Sequence, residues 1–221
     1  MNRLIIVRHG GSTANEDPTF YAYNDSAICL TTNGIRQALN TGGVLAAIDA
    51  RWAKPGNFAL EVFASEYIRA RQTARIALDQ MGVMSVEPRI SPLLNERDYG
   101  TAYVPEMDED PDCAANGSES SARARVRARR FLIEATGLLD RADVLAFTHM
   151  GTTRALIAEI LGLSDQDMMK RTIDNGAAFR FDRIFSAGGD STFVEQPLPR
   201  HVLPRLVAPI SQPPAAPPPA P

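Results

Sequence analysis

Arg8-His9-Gly10-Gly11 and Thr148-His149-Met150-Gly151 each set a histidine at the end of an apolar run, "LIIV" in one case and "DVLAF" in the other. The chain has three histidines, and two of them hold these matching positions. An imidazole serves as nucleophile, proton carrier or metal ligand near neutral pH. An arginine fork grips phosphate or carboxylate oxygens. Arg8 beside His9, and Arg69 at the start of a later helix, therefore point to an anion handled at a histidine. One strand-end histidine is usually structural; the repeated context carries the weight. Gly10-Gly11 reads as a turn, and no Walker lysine follows it, so a nucleotide P-loop is excluded. Ser12 and Thr13 lack the Ser-His-Asp ordering of a hydrolytic triad. The acidic run Glu106, Asp108, Glu109, Asp110 and Asp112 lacks the spacing and glycine of a calcium loop and reads as a solvated segment.

The elements that must position these residues alternate. "LIIVR", "FALEVFAS" (58–65) and "DVLAFT" read as buried strands, short and apolar on both faces. "LTTNGIRQALNTGGVLAAI" reads as a helix capped by Thr31 or Thr32, with Ile35, Ala38, Leu39, Leu45 and Ile48 toward the core. A second helix carries Arg69 and ends at Gly82. A third covers "SARARVRARRFLIEATGLL", whose Arg123, Arg125, Arg127, Arg129 and Arg130 fall on more than one face. Most are expected to be solvated or paired with the acidic segment. A fourth helix follows His149. Two more strands, in "NGAAFRFDRI" and "STFVEQPL", follow, with Asn175-Gly176 as a turn. The alternation predicts an α/β fold, a three-layer α/β/α sandwich on a mostly parallel sheet. Ligands in such sheets bind beyond the carboxyl ends of the strands, where His9 and His149 would meet. Residues 1–196 read as one domain and 197–221 as an extended or disordered Pro/Ala-rich tail that could bind a partner.

The 221 residues carry a net charge of −3, which gives no pull toward nucleic acid. No apolar run is long enough to span a bilayer. The N-terminal apolar run is too short for a signal peptide. Two cysteines, Cys29 and Cys113, form no disulfide framework or metal set. A reduced, cytoplasmic protein is expected, with no cofactor and no metal. Cationic charge is almost all arginine, with Lys54 and Lys170 the only lysines.

"RHGGSTAN", "LTTNGIRQA", "FASEYIRARQTA", "LLNERDYG", "NGSES" and "THMGTTRAL" together resemble, in order, the motifs of the histidine phosphatase superfamily, the phosphoglycerate-mutase-like proteins. The resemblance implies His9 as a nucleophile that forms a phosphohistidine. It implies Arg8, Arg69 and His149 as the phosphate pocket, with Asn15, Ser12 and Gly151 also binding substrate. It implies Glu96 as the general acid and base. Gly11 stands where many members have Glu, and Met150 where many have Gly. "LNERDYG" is close to the mutase form of its motif. The acidic, lysine-free segment that follows is a poor retainer for a bisphosphorylated intermediate. A phosphatase acting on a phosphorylated small molecule is therefore expected. A cofactor-dependent mutase is the alternative, and a catalytically weak phosphate-binding module is the alternative of another class.

Overall fold

The computed structural model describes residues 3–21, 25–54, 60–100, 117–185 and 191–198. The acidic segment 101–116 and the tail from 199 lie outside the described residues, so the readings placed on them are carried by sequence alone.

Apolar runs that must be covered on both faces become the centre of the sheet. Strands β1 (Arg3–Arg8) and β4 (Asp143–Thr148) are buried along their whole length and pair in parallel. With β2 (Leu60–Ala64), β3 (Arg89–Ile90), β5 (Ala178–Phe185) and β6 (Ser191–Gln196) they form one sheet in the order β3-β2-β4-β1-β5-β6. The β1–β4, β2–β4 and β2–β3 pairs are parallel; β1–β5 and β5–β6 are antiparallel.

Side chains alternate across the sheet and feed two cores. Ile5, Val7, Leu145 and Phe147 pack with Leu45, Ala74 and Leu78 from α2 (Thr32–Ile48) and α3 (Ile68–Met81). Leu4, Ile6, Val144 and Ala146 pack on the other face with Phe131, Leu156 and Met168 from α4 (Ser121–Leu138), α5 (Met150–Leu161) and α6 (Asp165–Lys170). The expected three layers are present, with a short α1 (Thr13–Glu16) after β1. Gly82 ends α3 in the left-handed conformation, and Gly176 turns the chain into β5.

One expectation needs correction. Ile35 is 43% exposed instead of facing the core. At that end of α2 the helix meets the His9 loop through Gly34: a Cβ on Gly34 would lie 1.9 Å from the Gly11 carbonyl oxygen, and one on Gly10 2.3 Å from that of Gly34. The close backbone crossing turns the neighbouring Ile35 outward. Of the α4 arginines, Arg123, Arg129 and Arg130 are exposed, as expected of most of them, and three of the five form ion pairs within the fold. Arg125 pairs with Glu159 and Asp165, Arg129 with Glu159, and Arg127 with Glu119.

The opposite end of the sheet is closed by a buried polar knot. Asp143, fully buried, accepts hydrogen bonds from the Arg3 backbone N–H at 2.7 Å and from Trp52 Nε1 at 3.0 Å, and pairs with the Arg3 guanidinium. Asp143→Ala leaves the buried Arg3 guanidinium without its fully buried partner, though still paired with Asp49, and strands an indole N–H. It is expected to cost about 3 kcal/mol in denaturant unfolding; a loss below about 1 kcal/mol would show that the knot is not needed.

Candidate active site

Register brings the two histidines together. Arg8 is opposite Thr148 across the β1–β4 pair, and the His9 amide donates to the Thr148 carbonyl at 2.9 Å. His9 and His149 thus leave adjacent strands at one level, their ring centroids 5.0 Å apart. Both are buried, at 1% and 0% exposure. The His9 Nδ1 is 2.6 Å from the Gly10 carbonyl oxygen, which can only accept, so Nδ1 carries the proton. That leaves Nε2 with a bare lone pair, and Arg69 Nε donates to it at 3.2 Å. Burial pushes the His9 pKa well below 6.5, and the Arg69 and Arg8 charges push it further. The imidazole is neutral and one-sided, as a nucleophile needs.

His149 is fixed through Ser65. The Ser65 hydroxyl donates to Asn95 Oδ1 at 2.9 Å and lies 2.8 Å from His149 Nε2. With its proton directed at Asn95, the hydroxyl accepts from an Nε2–H. Burial, then the Arg69 charge, holds His149 well below 6.5 too.

Arg69 is fully buried near the start of α3. Its Nη1 donates to the Asp25 carbonyl at 2.7 Å and lies 2.8 Å from Asp25 Oδ1; burial raises the pKa of that carboxyl against the pull of Arg69. The guanidinium also stacks over Tyr67, 5.0 Å from the ring centre. Arg8 donates through Nη1 to the Ile173 carbonyl. Burial lowers its pKa, while the Glu96 charge opposes the shift. Arg8 Nε, Arg69 Nη2 and His149 Nδ1 are buried with no partner among the described residues. Buried nitrogens are seldom left so. Here three belong to the side chains that the sequence places around a phosphate.

Glu96 is buried beside the start of α5, which His149 caps. Its Oε1 accepts from the backbone N–H groups of Arg97 (2.8 Å), Gly151 (3.0 Å) and Thr152 (3.3 Å). Gly151 sits against this carboxylate: a Cβ there would lie 2.9 Å from Oε1. Its N–H is thereby committed to Glu96. Ser12 is buried and its hydroxyl donates to Asn15 Oδ1 at 3.0 Å. Asn15 also accepts from Asn175 and donates to the Tyr21 hydroxyl at 3.3 Å. Asn15 lines a cavity of about 210 Å³ together with Arg8, Pro18, Tyr21, Glu96, Tyr99 and Met150. Gly11, without a side chain, donates its N–H to Gln37 Oε1 at 2.6 Å.

Sequence reasoning missed the groups behind these side chains. Thr73 accepts from the Gly10 N–H at 3.1 Å and donates to the Arg69 carbonyl, tying the nucleophile loop to α3. Ser65, Asn95 and Asp25 are common residue types with no local signature. Only the "FASEYIRARQTA" and "LLNERDYG" motifs that contain three of these four could have flagged them.

The two neutral histidines predict an acid-side loss of stability. Each is depressed below 6.5 in the folded protein, so the unfolded chain binds more protons as pH falls through that value. Their stability contribution is complete above 6.5 and is lost as pH falls toward the folded values. A histidine still neutral in the fold at pH 5.5 costs about 1.4 kcal/mol there. Urea unfolding at pH 7.5 and 5.5 is expected to show a smaller difference for His9→Asn than for the unmodified protein. An unchanged difference would mean that His9 is protonated in the fold.

A strand-end histidine with a bare nitrogen, facing two buried arginines and a second histidine, is an arrangement suited to receiving a phosphoryl group. The chain belongs to the histidine phosphatase superfamily (branch 1), whose family model matches residues 4–184. It is 26% identical over 211 residues to a 2,3-bisphosphoglycerate-dependent phosphoglycerate mutase of Azorhizobium caulinodans, covering 87% of this chain and 96% of that one. It is 28% identical to the enzyme of the same description from Bradyrhizobium sp. (strain ORS 278), covering 88% and 96%. Among solved structures, a candidate alpha-ribazole-5'-P phosphatase of Escherichia coli K-12 matches with a TM-score of 0.66 and 26% identity, over 88% of this chain and 96% of that one. A mycobacterial glucosyl-3-phosphoglycerate phosphatase shares the fold, with a TM-score of 0.68 and 20% identity, over 88% and 97%. Among the described residues no helix is long and apolar enough to cross a membrane.

Proposed function

We propose that this protein is a phosphatase that hydrolyses a phosphorylated small molecule through a phosphohistidine on His9. The observation that carries the reading is the neutral His9 Nε2 beside three buried, unpartnered nitrogens of Arg8, Arg69 and His149. The substrate phosphoryl group binds there, displacing the Arg69 Nε contact from Nε2. Arg8 Nε and Arg69 Nη2 donate to its oxygens, and His149 Nδ1 does so once it has taken a proton. Forks and preorganised charge stabilise the charge spread over the equatorial oxygens.

The Nε2 lone pair attacks phosphorus as the ester P–O bond breaks. The bond's electrons go to the leaving oxygen, which takes a proton from Glu96. The Gly10 carbonyl, accepting from Nδ1–H, steadies the positive charge on the phosphorylated ring. Water then attacks phosphorus, gives a proton to Glu96 and returns the P–N electrons to Nε2. Three N–H groups favour the carboxylate form of Glu96, and the arriving phosphate dianion favours the acid form.

Hydrolysis is favoured over mutase chemistry because the cavity carries one cation, Arg8, among its described lining residues. The rest of that lining is Tyr21, Tyr99, Pro18, Ala14, Asn15, Met150 and Glu96, which offers little to a second phosphate. The sequence beyond it, 101–116, is acidic and has no lysine. The mutase reading keeps two supports: the "LNERDYG" motif and the mutases among the chain's relatives. Interconversion of 3- and 2-phosphoglycerate, with 2,3-bisphosphoglycerate present, is to be compared with release of inorganic phosphate from the same mixture. Release is expected to dominate. Interconversion faster by about 100-fold, a transition-state difference of nearly 3 kcal/mol, would establish a mutase.

A further inference from the structure

The proposed acid, Glu96, sits on an irregular stretch, and a general acid must be held within a fraction of an ångström of the leaving oxygen. The backbone carbonyls leading into Glu96 are each taken by a buried or half-buried side chain. The Leu94 carbonyl accepts from Thr148 Oγ1 at 2.6 Å. The Leu93 and Asn95 carbonyls both accept from Arg127 Nη1, at 2.9 and 2.7 Å. Arg127 Nη2 reaches the carbonyl of Glu96 itself at 3.5 Å, and Thr152 Oγ1 donates to Asn95 as well. The other edge of the same guanidinium is gripped by Glu119, with Nε to Oε1 at 3.1 Å and Nη2 to Oε2 at 2.7 Å. One fork from α4 thus spans the Glu96 stretch, with Glu119 setting its plane.

We propose that Arg127, oriented by Glu119, is a positioning residue for the general acid Glu96. The inference rests on the reading of Glu96 given above. A lysine offers a point charge and no planar fork, so it cannot hold two carbonyls and a carboxylate in one plane. Loss of the fork lets the stretch shift while Arg8 and Arg69, held by the Ile173 and Asp25 carbonyls, stay in place. The damage should fall on the step that needs the proton.

Arg127→Lys and Glu119→Gln are to be assayed on glycerol 2-phosphate, whose alkoxide needs a proton, and on p-nitrophenyl phosphate, whose nitrophenolate does not. Arg127→Lys is expected to lower kcat on glycerol 2-phosphate by about 10- to 100-fold with KM nearly unchanged, and on p-nitrophenyl phosphate by less than about threefold. Glu119→Gln should follow the same pattern with a smaller loss, and it serves if Arg127→Lys does not fold. Added to Glu96→Gln, Arg127→Lys should cause no further loss on glycerol 2-phosphate, since the group it positions is already gone. A uniform loss on both substrates, or losses that multiply in the double variant, would overturn the inference while leaving the acid assignment intact. Equal losses on both substrates in Glu96→Gln alone would overturn the acid assignment and the inference with it.

Discussion

His9→Ala is expected to abolish turnover, with a loss of about 10⁴-fold or more in kcat on p-nitrophenyl phosphate. The size of the effect follows from what the residue supplies. His9 gives a nitrogen lone pair aimed among the buried arginines, since its Nδ1–H is committed to Gly10 and its Nε2 meets Arg69. Ser12 does not replace it, since its buried hydroxyl donates to Asn15. The variant should still fold, because alanine is tolerated at the end of a buried strand and relieves the cost of keeping a buried imidazole neutral. Binding of inorganic phosphate by Arg8 and Arg69 should survive. A variant that keeps activity within about tenfold of the unmodified protein would assign the nucleophile elsewhere.

Glu96→Gln is expected to cost about 10²- to 10⁴-fold on an alkyl phosphate and much less on p-nitrophenyl phosphate. The substitution is nearly isosteric, and glutamine Oε1 can accept the same three N–H groups of Arg97, Gly151 and Thr152. The start of α5 therefore keeps its cap, and the main loss is the exchangeable proton. An alkoxide leaves badly without that proton, whereas nitrophenolate leaves well. A secondary effect falls on the electrostatics of Arg8, which loses the charge that opposes its desolvation. That effect acts on phosphate binding and so on both substrates alike. Kinetics on the two substrates separate the roles: a difference between them reports the proton, and a shared loss reports the charge.

What the sequence revealed and what it concealed divide by the range of the interaction. His9 and His149 were legible because a strand rich in Leu, Ile and Val must end somewhere, and the end of a parallel strand is where function collects. The sheet order then needed only β1 and β4 to be neighbours, and their register sets Arg8 against Thr148. Glu96 was legible as a residue of the "LLNERDYG" motif, but its support was not. The resemblance implies Gly151 as a substrate-binding residue, and in the fold its N–H meets Glu96. Ile35 departs from its expected inward position because helical periodicity does not register that Gly34, beside it, is in backbone contact with Gly10 and Gly11. Arg127 was lost in a run of arginines that differ only in what α4 faces. Asp25 and Ser65 act across more than 40 residues of chain on Arg69 and His149, beyond any local signal.

The central claim is covalent transfer of the phosphoryl group to one nitrogen of His9. The direct measurement is to mix the protein with a ³²P-labelled phosphomonoester, quench within milliseconds in alkali, and identify the labelled residue and ring position. One alkali-stable, acid-labile phosphoryl group on His9 Nε2 is predicted, because Nδ1 is closed by the Gly10 carbonyl 2.6 Å away. The label should be absent from His9→Ala. Label on Nδ1, on Ser12 or on any other residue, or turnover with no labelled protein at all, would contradict the account.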